Sequence, residues 1–334
     1  MIPFIKYRWI WYTFFAVLFI VSITGVIWRG IPYGIDFTGG SLMEVEYTKE
    51  VPELSSVSEV LSTNGFSAAS LQQTERGYLI RLEEINEEQR KIILTALRGQ
   101  IGQTKVGPSV QVEPSAGTGV SISGIDIGLE GEESTTDENQ VSERRFDSVG
   151  PVIGQELKVR SVQALILVIL SIMAYIAWAF RKVSWPVKSW KYGGVAVAVL
   201  FYDVIVTFGA YVWVASHVGW VVDTIFVAAL LTILGYSVND RIVVFDRVRE
   251  NLPRMDKPFD EIVNASVNQT LARSLNTGLA TILVMAVIML YGGETLRPFM
   301  FTLLFGVILG TISSIFLAAP LLVTWQLYSE KRQK

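Results

Sequence analysis

Three ionisable residues, Asp203, Asp240 and Arg273, stand inside or at the border of stretches otherwise apolar enough to cross a lipid bilayer. An ionised side chain in hydrocarbon costs several kcal/mol, so each of them needs a partner or a function. Asp240 lies in the run LGYSVNDRIVVFD, residues 234–246, where helical spacing puts Tyr236, Asp240 and Val243 or Val244 on one face. The following apolar segment enters with Gln269, Arg273, Asn276, Thr277 and Thr281 at steps of three and four, a polar stripe on an apolar helix. Antiparallel neighbours would bring these two faces together in the cytoplasmic half of the membrane. Burial disfavours the charged form of a carboxylate and a nearby guanidinium favours it, so Asp240 opposite Arg273 can be poised to load and release a proton. Arginine keeps its proton and would serve as a switchable counter-charge, with the Thr277 hydroxyl completing a hydrogen-bond path. A static ion pair that sets helix register, with Asp203 hydrogen-bonded to a neighbouring helix, accounts for the same residues equally well. Arg241, Asp246, Arg247, Arg249 and Glu250 are expected at or beyond the cytoplasmic interface, in water.

The elements that must position these side chains follow from hydropathy. Of 334 residues, 51% are hydrophobic and only 18% charged, too apolar for an ordinary soluble protein. Crossing the hydrocarbon core as a helix takes about 20 apolar residues. Six segments qualify: 9–29, 158–180, 192–214, 221–245, 274–291 and 298–327. No small-residue cleavage site follows the first, so it is expected to stay as an anchor. Basic residues set the orientation. Lys6 and Arg8 precede the first span, Arg181, Lys182, Lys188 and Lys191 follow the second, six more lie in 241–273, and Lys331, Arg332 and Lys334 lie in the last four residues. The opposite loops, 215–220 and 292–297, hold only Arg297. Both tails, 1–8 and 329–334, are thereby predicted cytoplasmic.

Residues 30–157 have soluble composition and read as an extracytoplasmic domain. Alternation marks strands at 41–47, 77–83 and 109–113, helical spacing marks 53–64 and 86–98, and a further strand fits 141–147. The predicted layer is α+β and ferredoxin-like. Residues 115–140, acidic and poor in large apolar side chains, predict a mobile loop. Gly306 and Gly310 form a GxxxG step in span six, suited to close helix packing inside the bundle or against another subunit.

A net charge of −3, with the basic residues spent on topology, gives no support for nucleic-acid binding. The absence of cysteine excludes disulfides and thiolate metal sites, and His217 reads as an incidental interfacial residue rather than a metal ligand. No hydrolase triad or phosphate-binding glycine loop is present, and no cofactor or metal is expected.

Four segments carry a family likeness: GYSVNDRIVVFDRVREN (235–251), GIDFTGG (34–40), SVGPVIGQEL (148–157) and NQTLARS (268–274). They resemble the signatures of the SecD/SecF family, part of the resistance-nodulation-division (RND) superfamily. The resemblance implies a component of the bacterial Sec export apparatus in the cytoplasmic (inner) membrane. Such a component works with SecD and the SecYEG channel on a translocating preprotein, driven by the proton-motive force, with sodium as an alternative coupling ion. Six spans are half of a full RND bundle, so a partner carrying the other half is implied. The family's proton path falls on Asp240, Arg273 and Thr277 here, which favours the relay over the static pair. Asn239, Gln269 and Asn276 support it, and Asp203 matches a further family position. Asp36, Gly39, Gly40, Gly150, Pro151 and Asp246 are motif positions, whose glycines read as turns between membrane helix and domain. Two features depart from the family: Arg241 stands where a small hydroxyl residue is expected, and the 115–140 loop is long. The rival functions are a small-molecule exporter of the same superfamily, which would need an apolar pocket in the outer domain, and a passive subunit that stabilises its partner.

Overall fold

The computed structural model describes residues 2–66, 69–101, 140–179 and 189–332, which divide into two compact units, Gly40–Val149 and Met1–Gly39 with Gly150–Lys334. The expected strand at 109–113, all but the last residue of the acidic loop at 115–140, and Arg181, Lys182, Lys188 and Lys334 lie outside the described residues.

The smaller unit runs β1 (Gly40–Tyr47), α3 (Leu54–Thr63), β2 (Ser70–Gln73), β3 (Gly77–Leu82), α4 (Glu87–Ile101), β4 (Val141–Val149). Its sheet has the order β2-β3-β1-β4 with antiparallel pairs throughout, the split β-α-β arrangement of a ferredoxin-like layer. Alternation explains the buried face: Met43 and Val45 on β1 oppose Ile80 and Tyr78 on β3, Tyr47 and Leu82 extend the same face, and Val57, Leu61, Ile93 and Leu97 cover it from the two helices. Helix α4 begins with a reciprocal capping box, Asn86 and Gln89 each accepting the other's main-chain N–H at 2.9 Å. The four-residue polar strand β2, Ser-Leu-Gln-Gln, is an addition to the strands read from sequence.

The larger unit holds α1 (Arg8–Arg29), α2 (Ile35–Thr38), α5 (Pro151–Ala179), α6 (Ser189–Val218), α7 (Thr224–Asn251), α8 (Phe259–Tyr291), α9 (Arg297–Ser313), a π-helical turn (Ser314–Ala318) and α10 (Ala319–Lys331). Among the described residues six helical segments are long and apolar enough to cross a membrane, the last running through α9, the π turn and α10. These helices overlap the expected segments, but α5 starts at Pro151 and not at 158, and α7 and α8 extend well past 221–245 and 274–291 at the ends facing their shared turn. The third, fourth and sixth spans are 56%, 50% and 56% buried, against 11%, 6% and 11% for the first, second and fifth, so α6, α7 and α9–α10 form the centre. Their core brings together Tyr192, Leu200, Val244, Phe245, Val248, Ile315 and Leu322, with Val263 from α8.

Candidate intramembrane charged site

The site rests on a close crossing of α7 and α9. A β-carbon on Gly306 would stand 2.3 Å from Ile233 Cδ1, and one on Gly310 would stand 2.7 Å from Ser237 Oγ. The GxxxG step thus packs helices within this chain, which brings Ser237 and, one turn later, Arg241 against the end of α9.

There Arg241 pairs with Asp203 of α6; the two side chains are 0% and 1% exposed. Ser237 Oγ donates to Asp203 Oδ2 at 2.6 Å, and Ser313 Oγ lies 3.1 Å from the same oxygen. Arg241 Nη2 donates to both hydroxyl oxygens, at 2.9 and 3.2 Å. Arg241 is the largest fully buried side chain among the described residues, which corrects its placement in interfacial water. Asp246, Arg247, Arg249 and Glu250 are partly or fully exposed and pair locally, as solvated charges do. Lys191, counted among loop cations, is buried in the first turn of α6 and donates to Gln326 Oε1 at 2.8 Å.

Asp240 is also buried, at 8% exposure, and its contact is neutral: Ser314 Oγ donates to Oδ2 at 2.6 Å. Ser314 opens the π turn, a local widening of the helix that often marks functional positions. Consecutive serines thus reach two carboxylates, Ser313 to Asp203 and Ser314 to Asp240.

Arg273 does not meet Asp240. Among the described residues no ion pair joins them, and Arg273, Asn276 and Thr277 form an exposed stripe on α8. The Thr277 hydroxyl donates to the Arg273 carbonyl of its own helix at 2.9 Å instead of extending a path to Asp240. The reason is steric: α8 turns its small residues Ser266, Thr270, Ser274 and Gly278 inward, where Gly278 meets Thr311, and its long polar side chains go outward. Asn239 on α7 is exposed as well. Gln269, exposed near the helix start, accepts from Arg247 Nε at 2.5 Å and from Asn251 Nδ2 at 2.8 Å.

The motif residues after the first span are positional. Asp36 Oδ2 accepts from the Thr224 N–H at 3.0 Å and from Thr224 Oγ1 at 2.5 Å, while Asp223 Oδ1 accepts from the Phe226 N–H at 2.7 Å. Two carboxylates therefore cap the start of α7, where its dipole favours them. The Asp-Thr pair ahead of an apolar run is an N-cap signal that sequence reading passed over. Gly39 has φ +76°, and a β-carbon there would come 2.7 Å from Pro151 Cα; Gly40, at φ 130°, opens β1. Gly150 accepts from the Gly154 N–H at 3.0 Å as Pro151 starts α5. Asp246 is exposed, 3.8 Å from Arg249.

Two family models match: "Protein export membrane protein SecD/SecF, C-terminal" over residues 130–328, and "SecD/SecF GG Motif" over residues 29–51. Proteins named "Protein translocase subunit SecF" from Thermobaculum terrenum and Anaerolinea thermophila are each 35% identical, over 98% and 94% of this chain and 94% and 92% of theirs. The crystal structure of SecDF, a translocon-associated membrane protein from Thermus thermophilus, superposes with a TM-score of 0.76 at 27% identity, over 98% of this chain and 39% of that one.

Proposed function

The chain belongs to the SecD/SecF family of protein-export membrane proteins and is a multi-pass subunit of the Sec protein-export apparatus; from that premise we propose that it couples proton entry at Asp240 to preprotein movement through SecYEG. SecD is its partner in the translocase. The observation that carries the proposal is the exposed stripe of Arg273, Asn276 and Thr277 on α8, with Asn239 exposed on α7, in helices apolar enough to cross a membrane. A guanidinium and an amide facing lipid are costly, so this face belongs against protein, and SecD supplies the second membrane half.

In this mechanism both tails are cytoplasmic, the domain 40–149 lies outside, and the protein resides in the inner membrane. A proton taken up by Asp240 removes a buried charge, changes what the α7–α8 face presents to SecD, and shifts the balance between two packings of the spans. Each charge crossing 100 mV is worth about 2.3 kcal/mol, enough to bias two states separated by a few kcal/mol. The outer domain then moves while holding the emerging preprotein.

The test is preprotein export into sealed vesicles containing SecYEG and SecD, with wild type or Asp240→Asn, with and without an imposed proton gradient. Loss of the gradient-dependent part in Asp240→Asn, with assembly intact, is the expected result. Equal export by both proteins overturns the proposal, and full export by an Asp240→Ala/Arg273→Ala double variant would assign the chain a passive stabilising role.

A further inference from the structure

Among the described residues of the bundle two carboxylates are buried, with opposite surroundings. Asp203 faces a guanidinium, while Asp240 faces a hydroxyl. Arginine cannot give up its proton, so a proton landing on Asp203 would strand the Arg241 charge in the core without compensation. That penalty is severe here, because Arg241 Nε and Nη1 and Asp203 Oδ1 are buried without other hydrogen-bond partners. A proton landing on Asp240 strands nothing.

The serine at Asp240 is placed to serve both of its forms. Ser314 Oγ lies 2.6 Å from Asp240 Oδ2 and 2.8 Å from the Thr311 carbonyl oxygen. With Asp240 ionised, the serine hydrogen points at the carboxylate. With Asp240 protonated, the new O–H donates to Ser314 Oγ and the serine hydrogen turns to Thr311, so that no polar atom loses its partner. Other groups near the two carboxylates do not substitute for these partners. Tyr202 beside Asp203 donates to the Phe15 carbonyl of α1 at 3.1 Å, Tyr236 is half-buried one turn before Asp240, and Arg273 of α8 faces outward.

We propose that Arg241 is a resident counter-ion that keeps Asp203 ionised and outside the proton cycle, which leaves Asp240 as the exchanging carboxylate with Ser314 as its positioning residue. This deepens the coupling reading above and rests on it for its consequence, but its own test does not use export.

That test is infrared difference spectroscopy of the chain reconstituted with SecD, between alkaline and acidic buffer, following the carbonyl stretch of protonated buried carboxyls. Wild type should show a band that disappears in Asp240→Asn, persists in the Arg241→Met/Asp203→Asn double variant, which strands no charge, and shifts in frequency in Ser314→Ala. Arg241→Met should add a second band, which disappears when Asp203→Asn is combined with it. Arg241→Lys, which keeps the charge, should match wild type, and it serves with the double variant if Arg241→Met fails to insert. A wild-type band that survives in Asp240→Asn but is lost in the Arg241→Met/Asp203→Asn double variant overturns the proposal, as does the absence of any band from Asp240. Normal gradient-driven export by Asp240→Asn alongside the expected spectra would sink the export coupling and leave this assignment standing.

Discussion

Ser237 and Gly310 approach so closely at the α7–α9 crossing that a β-carbon on the glycine would come 2.7 Å from the serine oxygen. Ser237 cannot retreat without releasing Asp203, to which it donates at 2.6 Å. Gly310→Val should therefore destabilise the bundle by about 1–3 kcal/mol, the usual cost of overpacking. It should also separate Arg241 from Asp203. Gly25→Ala on α1, with nothing within 4 Å of its added carbon, is the matched control and should cost nothing. Thermal unfolding of both variants in detergent decides; equal melting of the two would show that the crossing tolerates a side chain.

Asp36 ties the segment after the first span to the start of α7 through the main chain and hydroxyl of Thr224. Asp36→Ala removes both bonds and a carboxylate from a helix N-terminus, for an expected loss of about 1–2 kcal/mol. Asp36→Asn keeps an acceptor but no charge and should lose less. If Asp36→Ala melts like wild type while export fails, the residue acts on transport directly and not through this cap.

In the unit Gly40–Val149 the Tyr47 side chain is buried against Tyr78, and its hydroxyl has no hydrogen-bond partner. Burial foremost, with Tyr78 adding to it, pushes the phenol up from 10.0 to about 12. A group whose folded value is raised holds its stability below the unfolded value and loses it as pH climbs through the folded one. The domain should therefore weaken between pH 10 and about 12, as the unfolded chain ionises Tyr47 first. Tyr47→Phe should remove part of that loss and be neutral or mildly stabilising at neutral pH, since it deletes an unsatisfied buried hydroxyl. Proteolysis of the domain after brief alkaline exposure measures this; identical sensitivity of wild type and variant would contradict it.

The six spans and the ferredoxin-like layer were legible because each rests on a local signal: apolar length for the spans, alternation for Met43–Val45–Tyr47 and Tyr78–Ile80–Leu82. Strand β2 was not, since Ser-Leu-Gln-Gln is a short polar edge strand whose pairing with β3 is its main support. Within the site, both aspartates were legible as buried charges, but their partners were not. A membrane helix is apolar nearly all round, so the wheel of α7 does not itself say whether Tyr236–Asp240 or Ser237–Arg241 turns inward. On α8 the polar stripe through Arg273 looked like the inner face, whereas Ser266, Thr270, Ser274 and Gly278 occupy it. Small residues seek the protein interior in a bilayer, and weighting them above polarity finds the right face. Arg241 and Asp203 are 38 residues apart on different helices, and no local pattern in the sequence ties one to the other.

The outward stripe makes a prediction about assembly that the sequence itself renders easy to test, because the chain contains no cysteine. A single cysteine introduced by Asn276→Cys stands on the exposed polar face of α8, while one introduced by Leu167→Cys stands on α5, where the native residue is 65% exposed. If the stripe packs against the membrane half supplied by SecD, a membrane-permeant thiol reagent should label Asn276→Cys in the chain expressed alone and several-fold more slowly when SecD is co-expressed. Leu167→Cys should label equally in both conditions, since its apolar face needs only lipid. Protection of both positions would mean that SecD surrounds the bundle instead of docking on α7–α8. Protection of neither would leave Arg273 and Asn276 facing lipid in the assembled complex, an arrangement their desolvation cost forbids, and would require the stripe to be covered by some other protein.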